Sequence, residues 1–189
     1  MSKTLLLLFH PDLKRSKANW ALARSALSVS GIEIIDMQTR YPTGISLEAD
    51  GEREATRLLE ADRLILQFPV QWYSTPPLLK AWQDAVLTRM FYLTYETEGR
   101  QLAGKSMMVA ATAGNLADAY KPGGANMFTM NDLLAPLRAT AHRCGLIWTK
   151  PFIVYRAEKL SDKERSAAAE LYAAVLKEWI ADGVQEVKP

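Results

Sequence analysis

Cysteine is almost missing from this chain. Its 189 residues hold one, Cys144, so no disulfide can form within it, and a lone thiol fits a reducing compartment. Histidine is nearly as scarce. His10 and His142 are the only two and lie far apart, so no His/Cys cluster has metal-ligand spacing and no metal is expected. There is no GxGxxG fingerprint and no Walker phosphate loop. Charge of one sign is also lacking. The formal net charge is +2, with basic and acidic residues interspersed, so nothing calls for a nucleic-acid partner. Long apolar runs are absent as well. The N-terminal Leu5 to Phe9 is too short to cross a membrane and lacks the form of a signal peptide, which makes a cytoplasmic location the expectation. No internal repeat or low-complexity segment is visible.

What is present is an ordinary soluble composition, 49% hydrophobic and 23% charged, in a length that suits one domain over residues 1–189. Thr4 to Phe9 is wholly apolar and reads as a central strand covered on both faces. After His10-Pro11 comes a polar, cationic loop. Ser16 is placed to cap a helix running to about Val29, which Gly31 ends. The free N–H groups at that helix start, with Lys14, Arg15 and Lys17 nearby, suit an anion such as a phosphate, although each cation alone reads first as a solvated surface charge.

Ile32 to Met37 is the second strand, residues 38–46 a connection, and Leu47 to Ala61 a helix with Leu58 and Leu59 as its apolar contacts. Asp62 to Phe68 is the third strand. It stops at Pro69, and Val70-Gln71-Trp72-Tyr73 leads through Pro76-Pro77 into a helix over about 78–91. Residues 94–104 read as loop. Lys105 to Ala111 is the fourth strand, about 130–144 a helix closed by Gly145, and 147–155, interrupted by Pro151, the fifth strand. Ser161 and Glu164 have capping-box spacing for a last helix to about Ala181. His142 and Cys144 read as packing residues within their helix.

This alternation predicts an α/β fold: a parallel five-stranded sheet with helices on both faces, in the flavodoxin-like order 2-1-3-4-5. Its switch point gathers the loops carrying His10 to Asn19, Val70 to Tyr73 and Thr112 to Asn115. The Trp72-Tyr73 pair at such a place serves either as a flat stacking surface or as a subunit contact, and the residues alone leave both open.

Those three loops resemble a known family. Phe68-Pro69-Val70-Gln71-Trp72-Tyr73 followed by Pro-Pro-Leu-Leu-Lys-Ala-Trp, with His10-Pro11 and Ser16-Lys17-Ala18-Asn19, is similar to the flavin loops of flavodoxin-like NAD(P)H:quinone oxidoreductases. Ala111-Thr112-Ala113-Gly114-Asn115 resembles that family's Thr-Thr-Gly-Gly loop. The short chain resembles the bacterial branch, which includes the ancillary flavoproteins of glutathione-gated potassium efflux systems.

The resemblance implies bound FMN, with FAD as the alternative, and NAD(P)H as co-substrate. By position, His10, Ser16, Lys17, Ala18 and Asn19 hold the phosphate and ribityl chain. Val70, Gln71, Trp72 and Tyr73 line one side of the ring system, and Thr112, Ala113, Gly114 and Asn115 the other. Ala113 stands where the family has a second Thr, a hydroxyl worth about 0.5–1.5 kcal/mol as one hydrogen bond. Asn115 stands for the second Gly, a residue that tolerates positive φ. Tyr120 falls at the family's active-site Tyr and is the candidate acid, against a plain reading as a loop Tyr packed on Pro122. Asn126 replaces a His and can only help as a polar group.

The implied reaction is two-electron, ping-pong transfer from NAD(P)H to a quinone-like acceptor. An azo- or nitro-compound is a variant acceptor. The resemblance also implies a homodimer, with Trp82, Met90, Phe91, Met127 and Phe128 as candidates for its boundary, although core burial explains some of them equally well. A different reading is a regulatory subunit that binds a potassium efflux transporter at the inner membrane, its reductase activity incidental.

Overall fold

The structure is a computed structural model that describes residues 3–181. Strands β1 (Thr4–Leu8), β2 (Ile32–Asp36), β3 (Arg63–Pro69) and β4 (Ser106–Thr112) pair in parallel in the order β2-β1-β3-β4. Two short strands, β5 (Ile147–Trp148) and β6 (Phe152–Val154), share the outer edge of β4. The expected order therefore holds, with the fifth position in two pieces. Pro151 explains the break, since it has no N–H to give the ladder. Just before it, Thr149 directs both its N–H and its hydroxyl to the Met107 carbonyl, at 2.9 and 3.0 Å.

The helices are α1 (Lys17–Ala26), α2 (Met37–Arg40), α3 (Leu47–Glu60), α4 (Pro77–Trp82), α5 (Met130–Leu133), α6 (Ala135–Arg143) and α7 (Asp162–Ala181). Several depart from the sequence reading. The single turn α2 takes Met37 from the end of the expected second strand and continues into the expected connection, capped by Asp36, whose carboxylate accepts the Gln38 and Thr39 N–H groups. Beyond α4 the chain continues through two π-helical stretches, Gln83–Leu87 and Arg89–Leu93. The expected loop over 94–104 contains a tight turn at Gly99–Leu102, anchored by Glu98 bridging Arg89 and Thr94. A Cβ at Gly99 would lie 2.3 Å from the Met90 carbonyl, so no side chain fits there.

The helix expected over 130–144 is two. Pro136 cannot donate to the preceding turn, so it opens α6 rather than continuing α5. The capping box of α7 forms as read, Ser161 and Glu164 satisfying each other's backbone N–H groups.

Alternation along the strands divides the core into two layers. Leu5, Leu7, Phe9, Leu66, Phe68, Val109 and Ala111 meet α3, α4 and α6 on one face. Leu6, Leu8, Ile65, Met108 and Ala110 meet α1 and α7 on the other. Cys144 is buried, and desolvation pushes its thiol pKa up to about 11, consistent with a packing role. His142 is exposed, so it is not the packing residue expected. Of the residues left open between subunit boundary and core, Trp82 and Met90 are core residues. Among the described residues no helix is long and apolar enough to cross a membrane, and no group of His, Cys, Asp or Glu could hold a metal ion.

Candidate functional site

The carboxyl ends of β1, β3, β4 and β6 open into one cleft of about 630 Å³. Its first wall follows β1. His10 is half-buried, and its Nδ1 accepts the Asp12 N–H at 3.1 Å, which leaves Nε2 as the protonated nitrogen of the neutral ring. Desolvation holds the imidazole below its ordinary pKa, against the opposing pull of Asp12 and Asp36. The Ser16 hydroxyl accepts the Asn19 N–H at 3.3 Å and so caps α1. Lys17 and Ala18, in the first turn where N–H groups lack intrahelical acceptors, both line the cleft.

Asn19 lines the cleft as its position suggested, and it also holds the cleft together. Its side chain is buried, and Nδ2 donates to Ser16 Oγ at 3.1 Å and to Thr112 Oγ1 at 3.0 Å. The buried Gln67 amide of β3 donates to the Asn19 carbonyl at 2.9 Å. Asn19 is thus a fastener under the cleft floor, tying α1 to β3 and β4.

Thr112, Ala113 and Gly114 form the second wall. The turn is hydrogen-bonded from both sides. Val70 N–H reaches the Thr112 carbonyl at 2.8 Å, Ala113 N–H the Val154 carbonyl at 2.8 Å, and Ala157 N–H the Ala113 carbonyl at 3.0 Å. Neither Gly114 nor Asn115 adopts positive φ, so Asn115 is accommodated without strain, and its side chain accepts the Leu116 N–H. A Cβ on Gly114 would meet no protein atom within 4 Å. Its space is the cleft itself.

Pro69, Val70 and Gln71 form the third wall. The chain then reverses between Gln71 and Ser74, whose backbones exchange hydrogen bonds of 2.9 and 3.0 Å. Trp72 (φ 46°) and Tyr73 (φ 63°) both sit in the left-handed region that a type I′ turn demands. Bulky residues there cost about 1–3 kcal/mol each. Trp72 is 93% exposed, and the Tyr73 hydroxyl donates to Asn126 Oδ1 at 3.5 Å. Tyr120 packs on Tyr155, with ring centroids 5.5 Å apart. Trp72, Tyr73, Asn115, Tyr120 and Asn126 lie outside the cleft lining, Trp72 and Asn115 one residue beyond it.

A profile described as flavodoxin-like fold matches residues 2–180. The chain belongs to this flavodoxin-like family. It is 36% identical over 170 residues to an uncharacterized NAD(P)H oxidoreductase, YdeQ, of Bacillus subtilis, covering 90% of this chain and 84% of that protein. It is 35% identical over 181 residues to KefG of Cronobacter sakazakii, an ancillary protein of a glutathione-regulated potassium-efflux system, covering 96% and 94%. Among solved structures, general stress protein 14 of Treponema denticola in complex with FMN has a TM-score of 0.83 at 28% identity, covering 93% of this chain and 98% of that one. An NADPH-quinone reductase from P. pentosaceus has a TM-score of 0.77 at 26% identity, covering 92% and 96%.

Within this flavodoxin-like frame the sequence reading missed one wall. Ala157 and Glu158 after β6, and Arg165 in the first turns of α7, also line the cleft. Arg165 is held by Asp162 and by the Leu160 carbonyl, which aims a fixed positive charge at the cleft from the side opposite β3. The Ser161–Glu164 capping box was the available signal, because it fixes where α7 begins at the same edge of the sheet.

Proposed function

We propose that the cleft binds FMN and that the protein is an NAD(P)H-dependent oxidoreductase with a quinone-like acceptor. The observation that carries this reading is the convergence of an unpaired helix start and an unfilled cradle. The α1 N-terminus opens into the same 630 Å³ cleft as Gly114, whose missing side chain would project into free space. The residues fit the group. Backbone N–H groups of Lys17 and Ala18, the Ser16 hydroxyl and the neutral His10 Nε2–H would take the phosphate, with Arg15, Lys17 and Arg165 supplying charge. Val70 and Gln71 on one side and Thr112 to Gly114 on the other would hold the ring system. The likeness to oxidoreductases and to an FMN complex supports the same assignment.

When bound, FMN supplies reversible two-electron chemistry between NAD(P)H and an acceptor. The chain does the rest. The turn at Trp72 and Tyr73 is held rigid by its paired hydrogen bonds, so its aromatic faces wall a slot that donor and acceptor occupy in turn. Asn126 orients the Tyr73 hydroxyl. Tyr120, steadied by Tyr155, offers a proton donor to negative charge arising at the slot. A second copy would cover the exposed Trp72, Met127 and Phe128 and exclude water, which makes a homodimer the working form.

The visible spectrum of the purified protein tests the reading. Retained flavin that bleaches on adding NADH or NADPH, and recolours with a quinone, is the expected result. The KefG relation favours a second reading, in which the protein acts mainly as an ancillary subunit of a potassium efflux transporter. Quinone turnover no faster than that of free FMN, with co-purification of a transporter, would favour it.

A further inference from the structure

Left-handed backbone at non-glycine positions is confined, among the described residues, to Trp72, Tyr73, Met127 and Arg156. These fall on three separate loops, after β3, β4 and β6, and one series of contacts joins the loops. The Tyr73 hydroxyl donates to Asn126, the residue before Met127. The Asn126 N–H reaches the Ala119 carbonyl at 2.9 Å, next to Tyr120. The Tyr120 ring meets that of Tyr155 with the planes inclined by 44°, and Tyr155 precedes Arg156. Strain of this kind persists only where the surroundings over-determine it, and it gathers at functional sites. At Trp72 and Tyr73 it belongs to the tight turn. At Arg156 (φ 53°) it belongs to a corner built around Tyr155. On one side of Tyr155 the Val154 carbonyl accepts the Ala113 N–H, and on the other the Arg156 N–H donates to the Asn115 carbonyl at 3.0 Å. The main chain at Tyr155 is thus clamped to the loop that carries Tyr120. Tyr155 itself lies outside the cleft lining.

We propose that Tyr155 is a positioning residue: clamped at this corner, it fixes the tilt of the Tyr120 ring and so aims the Tyr120 hydroxyl at the slot, without touching flavin or acceptor. The inference rests on the oxidoreductase reading above, with Tyr120 as proton donor, and deepens it. A phenol hydroxyl lies on the axis of its ring, so ring tilt decides where the proton points. Tyr120 has little else to set that tilt. It follows a three-residue turn, Ala117–Ala119, and leads into Pro122-Gly123-Gly124. Tilted ring pairs are a favoured aromatic arrangement, and both rings rest on the core layer beneath α4 and α6. Burial pushes the Tyr155 phenol above its usual pKa, and the neighbouring Tyr120 adds to the shift, so Tyr155 stays neutral beside its partner. Asn126 can neither take nor give up a proton here, which leaves orientation as the means of tuning Tyr120.

The test pairs Tyr155→Leu with Tyr120→Phe. In flavin-free protein, NMR relaxation of isotopically labelled tyrosine rings is expected to show Tyr120 more mobile in Tyr155→Leu and as rigid as in the parent in Tyr155→Phe, which keeps the ring. In FMN-loaded protein, Tyr155→Leu is expected to slow flavin reduction by NADH or NADPH by up to about a hundredfold, the cost of misplacing a reacting group by about 1 Å. Tyr155→Phe restores the parent rate. In the Tyr120→Phe background, Tyr155→Leu slows reduction no further. Tyr155→Met, which keeps apolar volume without a ring, carries the same expectations if the leucine variant misfolds. A Tyr120 ring as rigid without its partner as with it, or an unchanged rate in Tyr155→Leu, overturns the inference. So does a Tyr155→Phe protein as slow as Tyr155→Leu, or a slowing that persists undiminished once the Tyr120 hydroxyl is gone. Each of these leaves the oxidoreductase reading intact. A Tyr120→Phe protein whose flavin is reduced at the parent rate overturns the proton-donor role of Tyr120, and the inference with it.

Discussion

Trp72 carries the sharpest conflict between local comfort and use. An exposed Trp with φ 46° gains almost nothing from burial and pays for its backbone. Trp72→Asn, which suits a type I′ turn, is expected to stabilise the fold by about 1 kcal/mol and to weaken flavin retention. A thermal melt and the rate of FMN loss check both directions, and an unchanged melting temperature would remove the strain argument. Gly114 is the reverse case. Gly114→Ala has room in the fold, so stability is expected to hold while FMN affinity drops, as read by flavin fluorescence. Tyr120→Phe is expected to slow flavin reduction by NAD(P)H with FMN still bound, and an unchanged stopped-flow rate would take Tyr120 out of the chemistry.

His10 links a single residue to pH. Burial depresses its pKa in the fold, so the native state prefers the neutral ring. As pH falls below about 6.5, the unfolded chain binds a proton that the folded flavin-free protein resists, and stability declines through that window. Melting of the flavin-free protein from pH 5 to 7 is expected to show this slope, flattened in His10→Gln. These residue roles were unequally legible. Ser16 announced itself as a cap by its type and place. Asn19 did not, because nothing along the chain reveals that its partners, Thr112 and Gln67, arrive from distant strands.

At the scale of elements, the ends of β3 and β4 and the start of α1 act as one unit through Asn19. Asn19→Ala removes the donor to Thr112 and the partner of buried Gln67. It is expected to cost about 1–3 kcal/mol of stability, measurable by urea unfolding, and to release α1 from the cleft floor. A loss below a few tenths of a kcal/mol would mean that the helix is held by packing alone. The strands were readable because β1, β3 and β4 are buried on both faces and therefore mostly apolar, with Gln67 of β3 the buried exception at its centre. The broken edge at Pro151 and the division of α5 from α6 at Pro136 were less so, although both follow from a missing N–H. The π-helical stretches after α4 left no sequence mark, since the segment after Pro76-Pro77 reads as one continuous helix.

For the molecule as a whole, strand order decided the site. Once β1 and β3 were adjacent, three loops had to meet, and the fourth, after β6, joined them because β6 pairs with the far edge of β4. Subunit contacts are a different matter, because apolar type does not distinguish core from boundary. Trp82 and Met90 fill the interior, while Met127 and Phe128 remain on the surface. The account as a whole rests on those loops closing on a single redox cofactor. Its most direct measurement is titration of flavin-stripped protein with FMN, followed by absorbance and by phosphate competition. The account predicts saturation at one FMN per chain, weakened by free phosphate and by Gly114→Ala. A protein that takes up no FMN, or that binds it equally well after Gly114→Ala and in excess phosphate, would contradict it.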